Sequence, residues 1–310
     1  MLMPRFARSF ENLSSWLRRN RIWLIAIIAV AALQGSWSQI TRTRGAQKVA
    51  FAPSFSTCGG RGDLRYCIYR AAGGTSDDVL YHLHGRNLDE QVWNDETYFT
   101  AQVQAEWQRS GVKPPTVVSV SYGSTWLLAP RGRQSASGKL ETFMDDIQAI
   151  ERITGTPARR LLLGESMGGL NVLVAGLRHP QRFAKLAALC PGVYVDSPFS
   201  SFSTLREAAR RTGANPKLAF AVWRLARSHV ANQSEWQAFS PLHLVETADE
   251  TYPELYLSNG LYDAFGNFEG TQELARMARE RGVSTRWHPL YGGHCSIDVV
   301  SLAAFLTEAR

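Results

Sequence analysis

Short apolar runs alternate with amphipathic stretches along most of this chain. Residues 64–71 alternate apolar and polar side chains as a half-buried strand does, and Val79-Leu80-Tyr81-His82-Leu83-His84 reads as a buried strand stopped by Gly85. Residues 97–109 carry Phe99, Val103 and Trp107 at helical spacing, and 142–153 carry Phe143, Ile147 and Ile150 on one face. Further strands are predicted at 116–122, 160–164, 186–192 (with its turn), 254–259 and 283–289. Helices are predicted at 167–177, 269–281 and 297–307. Strand–helix alternation of this kind predicts an α/β fold with a mostly parallel, doubly wound sheet. Residues 196–245 interrupt it with two helical stretches, 204–211 and 217–228, and read as a cap inserted over one end of the sheet. Trp223 and Trp236 are its candidate pocket walls. The expected layout is a segment 1–40, a linker and start of the body over 41–63, and a catalytic body over 64–310.

The N-terminal pattern differs. Arg18-Arg19-Asn20-Arg21 precedes an apolar run from Ile22 to Leu33. Positive charge before a short apolar core is the layout of a secretory signal. Extended to Ile40, with Trp23 and Trp37 as interface anchors, the run reaches a marginal membrane span. Against a third reading, a buried amphipathic helix, the run is apolar all round and the charges stop abruptly; a cleaved signal, with Ser36-Trp37-Ser38 as its small-x-small site, and an uncleaved anchor both fit. Both put the body on the far side of a membrane, exported to the periplasmic or extracytoplasmic face.

Charge and cysteines refine this picture. Of the formal +7, residues 1–21 supply +4 through five arginines and one glutamate, so the rest of the chain carries only +3. The body has no basic run with interleaved aromatics, and no nucleic-acid partner is expected. Cys58 and Cys67 bracket a glycine-rich turn, so a hairpin would bring them to bonding distance. In an oxidising compartment a disulfide there is expected, the other reading being two unrelated thiols. No cysteine or histidine spacing fits a zinc site, and no metal or cofactor is expected.

The chemistry centres on Gly164-Glu165-Ser166-Met167-Gly168, which fits the G-x-S-x-G nucleophile elbow between a leucine-rich strand and a helix start. A serine nucleophile needs a base, an acid to orient that base and an oxyanion hole. His294 lies in a glycine-containing loop directly after the last predicted strand, at the sheet edge that bears Ser166, and is the expected base. Asp263 follows the 254–259 strand and is the expected acid. The backbone N–H groups of Met167 and Arg86 are the expected oxyanion donors, with Gly85 letting the loop turn inward. Gly85, Trp126 and Trp223 are the candidate substrate-binding residues.

His84-Gly85, the elbow at Ser166, Asp263 and His294 together resemble the α/β-hydrolase superfamily. The helix before the elbow strand resembles its esterase D-like branch, which includes S-formylglutathione hydrolases, feruloyl and acetylxylan esterases and secreted mycolyltransferases. The resemblance covers residues 64–307 and leaves out the N-terminal segment. It implies a serine esterase that forms an acyl-enzyme on a carboxylic ester, the substrate being a small molecule or a polysaccharide- or lipid-linked ester. An acyltransferase with the same three residues, and a degenerate fold kept as a binding module, are the competing readings. Cys295, where the branch often has tryptophan, departs from the pattern. A second disulfide to Cys190, bracing the histidine loop, is an expectation.

Overall fold

Leu161, Leu162 and Leu163 are all fully buried, although successive strand side chains point to opposite faces. The strand that holds them, β5 (Arg160–Glu165), is therefore covered on both sides. The same holds for β3 (Val79–Leu83), β4 (Thr116–Ser121), β6 (Lys185–Leu189) and β7 (Glu254–Gly260), every residue of which is buried. In this computed structural model, which describes residues 20–45, 47–124 and 139–309 together with Trp16, these strands join β1 (Phe55–Arg61), β2 (Leu64–Arg70) and β8 (Thr285–Leu290) in one sheet. Its order is β1-β2-β4-β3-β5-β6-β7-β8. The β1–β2 and β2–β4 pairs are antiparallel, and every pair from β4 to β8 is parallel.

Two apolar layers follow from the pleat. Helices α3 (Lys139–Thr154), α4 (Met167–Arg178) and α9 (Asn267–Glu280) cover one face, where Phe143, Ile147, Leu173 and Leu274 meet Tyr81, Leu162, Leu186 and Leu257. Helices α2 (Phe99–Ser110) and α10 (Val299–Thr307) cover the other, where Phe99, Trp107 and Phe305 meet Leu80, Leu161, Leu163 and Tyr256. Lys185 is fully buried under the second layer, and its ammonium donates to the carbonyls of Phe305 (2.6 Å) and Glu308 (2.9 Å) at the end of α10. Burial pulls its pKa down, and those carbonyls take up its donors.

The helical insertion consists of α5 (Phe202–Thr212), α6 (Pro216–His229), α7 (Gln233–Phe239) and α8 (Pro241–Leu244), between β6 and β7. Ser201, Asn215 and Asn232 cap α5, α6 and α7, each accepting a first-turn N–H. β1 escapes the periodicity argument because all seven of its residues are exposed, so it shows no alternation. It is an edge strand held by pairing to β2, with Cys58 directly opposite Cys67 and bonded to it.

Helix α1 (Arg21–Thr41) belongs to a separate compact unit that ends at Arg42. It has 21 residues, a mean hydropathy of 1.5 over its most apolar stretch and no buried residue. At 1.5 Å per residue it is about 31 Å long, the thickness of a bilayer core. Length and composition suffice for a membrane span, and signal sequences share both properties.

The Cys58–Cys67 bridge closes a short loop, with the two cysteines 9 residues apart. Replacing both by serine is expected to lower the unfolding free energy by roughly 2–3 kcal/mol. Urea titration of oxidised parent and double variant checks this, and coincident midpoints would show that strand pairing alone sets the hairpin.

Candidate active site

The parallel strands deliver their carboxyl ends to one edge of the sheet, where loops from β3, β5, β7 and β8 converge. At the end of β5 the backbone reverses into α4 at Ser166, which has φ 54° and ψ −112°. A positive φ at a non-glycine residue is strained, and here the packing on both sides imposes it. A Cβ on Gly164 would lie 2.4 Å from the Gly168 carbonyl oxygen, and one on Gly168 would lie 1.7 Å from that of Leu83. Only glycine at both positions lets β5, α4 and β3 approach this closely. The Ser166 N–H is held by the Leu189 carbonyl of β6 at 2.9 Å.

Asp263 and His294 reach the same point from the loops after β7 and β8. His294 Nε2 lies 3.0 Å from Ser166 Oγ, and Nδ1 lies 2.8 Å from Asp263 Oδ2. Asp263 is 2 % exposed, and its second oxygen accepts the Phe265 N–H at 2.8 Å. The Phe265 ring packs on the His294 imidazole, centroids 4.5 Å apart. The structure thus joins Ser166, His294 and Asp263 in one continuous hydrogen-bonded row. The Met167 and Arg86 N–H groups have no acceptor among the described residues. Trp223 lies in the cap with its indole N–H on the Pro198 carbonyl at 2.8 Å, and Trp126 falls outside the described residues.

Three supports around this row are not announced by any motif. The first is Glu165, the variable residue of the pentapeptide. It is 1 % exposed. Its Oε1 accepts from the Gly85 N–H (2.6 Å) and the Tyr98 hydroxyl (3.0 Å), and its Oε2 lies 2.8 Å from His82 Nε2. Burial and the nearby Glu165 push the Tyr98 hydroxyl pKa far up, so the phenol keeps its proton and donates. One side chain therefore ties the elbow to the start of the Gly85–Arg86 loop. His84 fixes the same loop: Nδ1–H donates to the Gly85 carbonyl at 2.7 Å, and Nε2 accepts from Ser121 at 2.8 Å. Burial lowers the His84 pKa and favours the neutral ring that this pattern needs. Both His82 and His84 are thus engaged by protein groups.

The second support is the Cys190–Cys295 disulfide, which ties the residue after His294 to the end of β6. The third is the segment just after Arg42. Thr43 Oγ1 donates to the His294 carbonyl at 2.6 Å, the Arg44 N–H donates to Ser296 Oγ at 3.0 Å, and the Ile297 N–H donates to the Arg44 carbonyl at 2.9 Å. The first residues of the stretch read as a linker are strapped to the histidine loop.

Known esterases resemble this chain in sequence and in fold. A family model described as "Putative esterase" matches residues 66–296. The chain belongs to this esterase family. A curated relative, the iron(III) enterobactin esterase of Dickeya dadantii (strain 3937), is 32 % identical over 113 residues. That match covers 32 % of this chain and only 23 % of the relative's length. Solved structures with the same fold include an arylesterase (TM-score 0.60, 16 % identity, 85 % of this chain and 86 % of that one). A ferulic acid esterase aligns with TM-score 0.57 at 18 % identity over 83 % of this chain and 99 % of its own. Brefeldin A esterase, a bacterial homologue of human hormone-sensitive lipase, gives a TM-score of 0.55 at 15 % identity over 90 % of this chain and 84 % of its own. These likenesses establish an α/β-hydrolase fold for this member of the esterase family.

Glu165→Ala would leave the Gly85 N–H, the Tyr98 hydroxyl and the His82 ring without their buried partner. A loss of about 3 kcal/mol of unfolding free energy is expected, at about 1 kcal/mol or more per unsatisfied donor. Urea denaturation of parent and variant measures it; a loss under about 1 kcal/mol would show that those donors find other acceptors.

Proposed function

We propose that this member of the esterase family hydrolyses a carboxylic ester through an acyl-enzyme on Ser166. The observation that carries the reading is the His294 bridge, with Ser166 Oγ at 3.0 Å on one ring nitrogen and Asp263 at 2.8 Å on the other. Asp263 accepts from Nδ1–H, which leaves Nε2 with its lone pair toward Ser166. Ser166 Oγ attacks the ester carbonyl carbon as its proton passes to Nε2. Asp263 stabilises the imidazolium formed. The Met167 and Arg86 N–H groups, together with the N-terminal end of α4, face the charge that develops on the carbonyl oxygen. Collapse of the tetrahedral adduct breaks the bond to the alcohol oxygen, which leaves with the proton from Nε2. Water then attacks the acyl-Ser166 ester with His294 again as base, releasing the acid and restoring the hydroxyl.

The supports described above give this chemistry its geometry. The bond to the Thr43 hydroxyl and the disulfide grip the histidine loop from two sides, and Glu165 holds the loop that bears the Arg86 donor. The substrate is a small-molecule or a lipid- or polysaccharide-linked ester. Residues 1–40 export or anchor the catalytic body at an extracytoplasmic face. The bilayer-length apolar α1 and the pairing of all four cysteines support that placement.

With p-nitrophenyl acetate, Ser166→Ala and His294→Ala are each expected to lower kcat by about 10⁴-fold or more, with little further loss in the double variant. Steady-state kinetics on folded proteins checks both numbers. A Ser166→Ala protein that keeps parental turnover would overturn the assignment. Replacing Cys190 and Cys295 by serine is expected to lower kcat more than it changes KM, because it loosens His294 without touching the substrate. Equal kcat in the oxidised parent and this double variant would show that the loop holds His294 without the bridge.

A further inference from the structure

The cap contains an apolar cavity that the proposed chemistry leaves without a role. It measures about 470 Å³ and is walled by Phe202 and Leu205 of α5, Phe220 and Trp223 of α6, Trp236 of α7, and Phe265. That volume lies within the range of small-molecule sites, roughly 300–1,000 Å³. The helices around it are built unusually. α5 and α6 have apolar stripes but not one fully buried residue. Their stripes line this space, which is open to solvent on the side of Phe202 and Phe220, 74 % and 50 % exposed. Apolar side chains left this open to water forgo burial that an apolar ligand would supply.

The charged groups that line it are Asp196, Glu269, Arg206 and Arg210. Arg211 binds both Asp196 (2.9 Å) and Glu269 (2.8 Å), and Arg206 and Arg210 are exposed. Nothing in the interior favours a charged or strongly hydrated ligand. The cavity also abuts the proposed site. Phe265 forms one wall and packs on the His294 ring 4.5 Å away. A smaller space of about 70 Å³ shares Tyr194 and Trp236 with it and extends to Leu170 on the elbow helix.

We infer that this cavity holds an extended apolar chain of the ester, so that the enzyme selects medium- to long-chain aliphatic esters over acetates. This rests on the Ser166 reading, and the chain would pass Phe265, the wall that the space shares with the His294 ring. The chain belongs to either the acyl or the alcohol side of the ester, and both offer the same methylenes. Each methylene buried is worth about 0.8 kcal/mol, which is about a fourfold gain in kcat/KM.

The test uses the full chain in phospholipid nanodiscs and two substrate series. One is p-nitrophenyl esters from acetate to decanoate; the other is acetate esters of ethanol to decanol, followed by pH-stat. The expected result is a rise of about fourfold per methylene in one series. The rising series identifies the side of the ester that enters the cap. In Ala209→Trp, which places an indole in the cavity, the decanoyl-to-acetyl or decyl-to-ethyl ratio is expected to fall at least tenfold. Calorimetry with sodium decanoate on Ser166→Ala discs, against empty discs, reads the cavity without turnover and is expected to show saturable heat. Flat profiles in both series, or a slope that Ala209→Trp leaves intact with no decanoate heat, would overturn the inference. Absence of turnover on every ester would count against the Ser166 reading, and decanoate heat alone would then decide the cavity.

Discussion

The close approach of β5, α4 and β3 governs the sheet edge that bears Ser166. Backbone meets backbone at Gly164 and Gly168 with no room for a Cβ, and Ser166 is forced into a strained positive-φ conformation between them. Strain of this size survives only where the surroundings over-determine it. Here they do, because β5 is buried on both faces and the Ser166 N–H is tied to β6. The sheet thus acts as a rigid jig. It fixes where one hydroxyl stands, and the loops after β7 and β8 bring Asp263 and His294 to it.

The loops need their own restraint, because connections at a sheet edge are the least ordered part of such a fold. The histidine loop is held by a disulfide on one side and by Thr43 and Arg44 on the other. The Gly85–Arg86 loop is held by Glu165 and His84. In the proposed mechanism each contact acts only through position, by keeping the donors and the base where the transition state will need them. The cap works in the opposite way. Its helices leave their apolar stripes incompletely buried, and that unmet burial is what a ligand could satisfy.

Much of this was legible in the amino-acid order. The leucine run, the paired glycines around Ser166 and the alternation of strands and helices each have a local physical cause, so they show in the sequence. Asp263 and His294 could be placed because strand ends in a parallel sheet share one edge. What escaped inspection has no local cause. β1 is solvated on both faces and therefore shows no period. The Cys190–Cys295 bridge, by contrast, is expected from the placement of both residues at the sheet edge that bears Ser166, and the fold joins them across 105 residues. Glu165 looks like any variable position until Gly85, Tyr98 and His82 are seen to converge on it. Thr43 sits in a polar stretch that reads as a tether, and its partner lies 251 residues away.

The central claim is that Ser166 is a nucleophile activated by His294. Fluorophosphonate labelling of the folded chain, with the adduct located by peptide mass spectrometry, tests it most directly. The account predicts one adduct, on Ser166, with none in Ser166→Ala and strongly slowed labelling in His294→Ala. An adduct on another serine, or labelling of Ser166 at the same rate without His294, would contradict it.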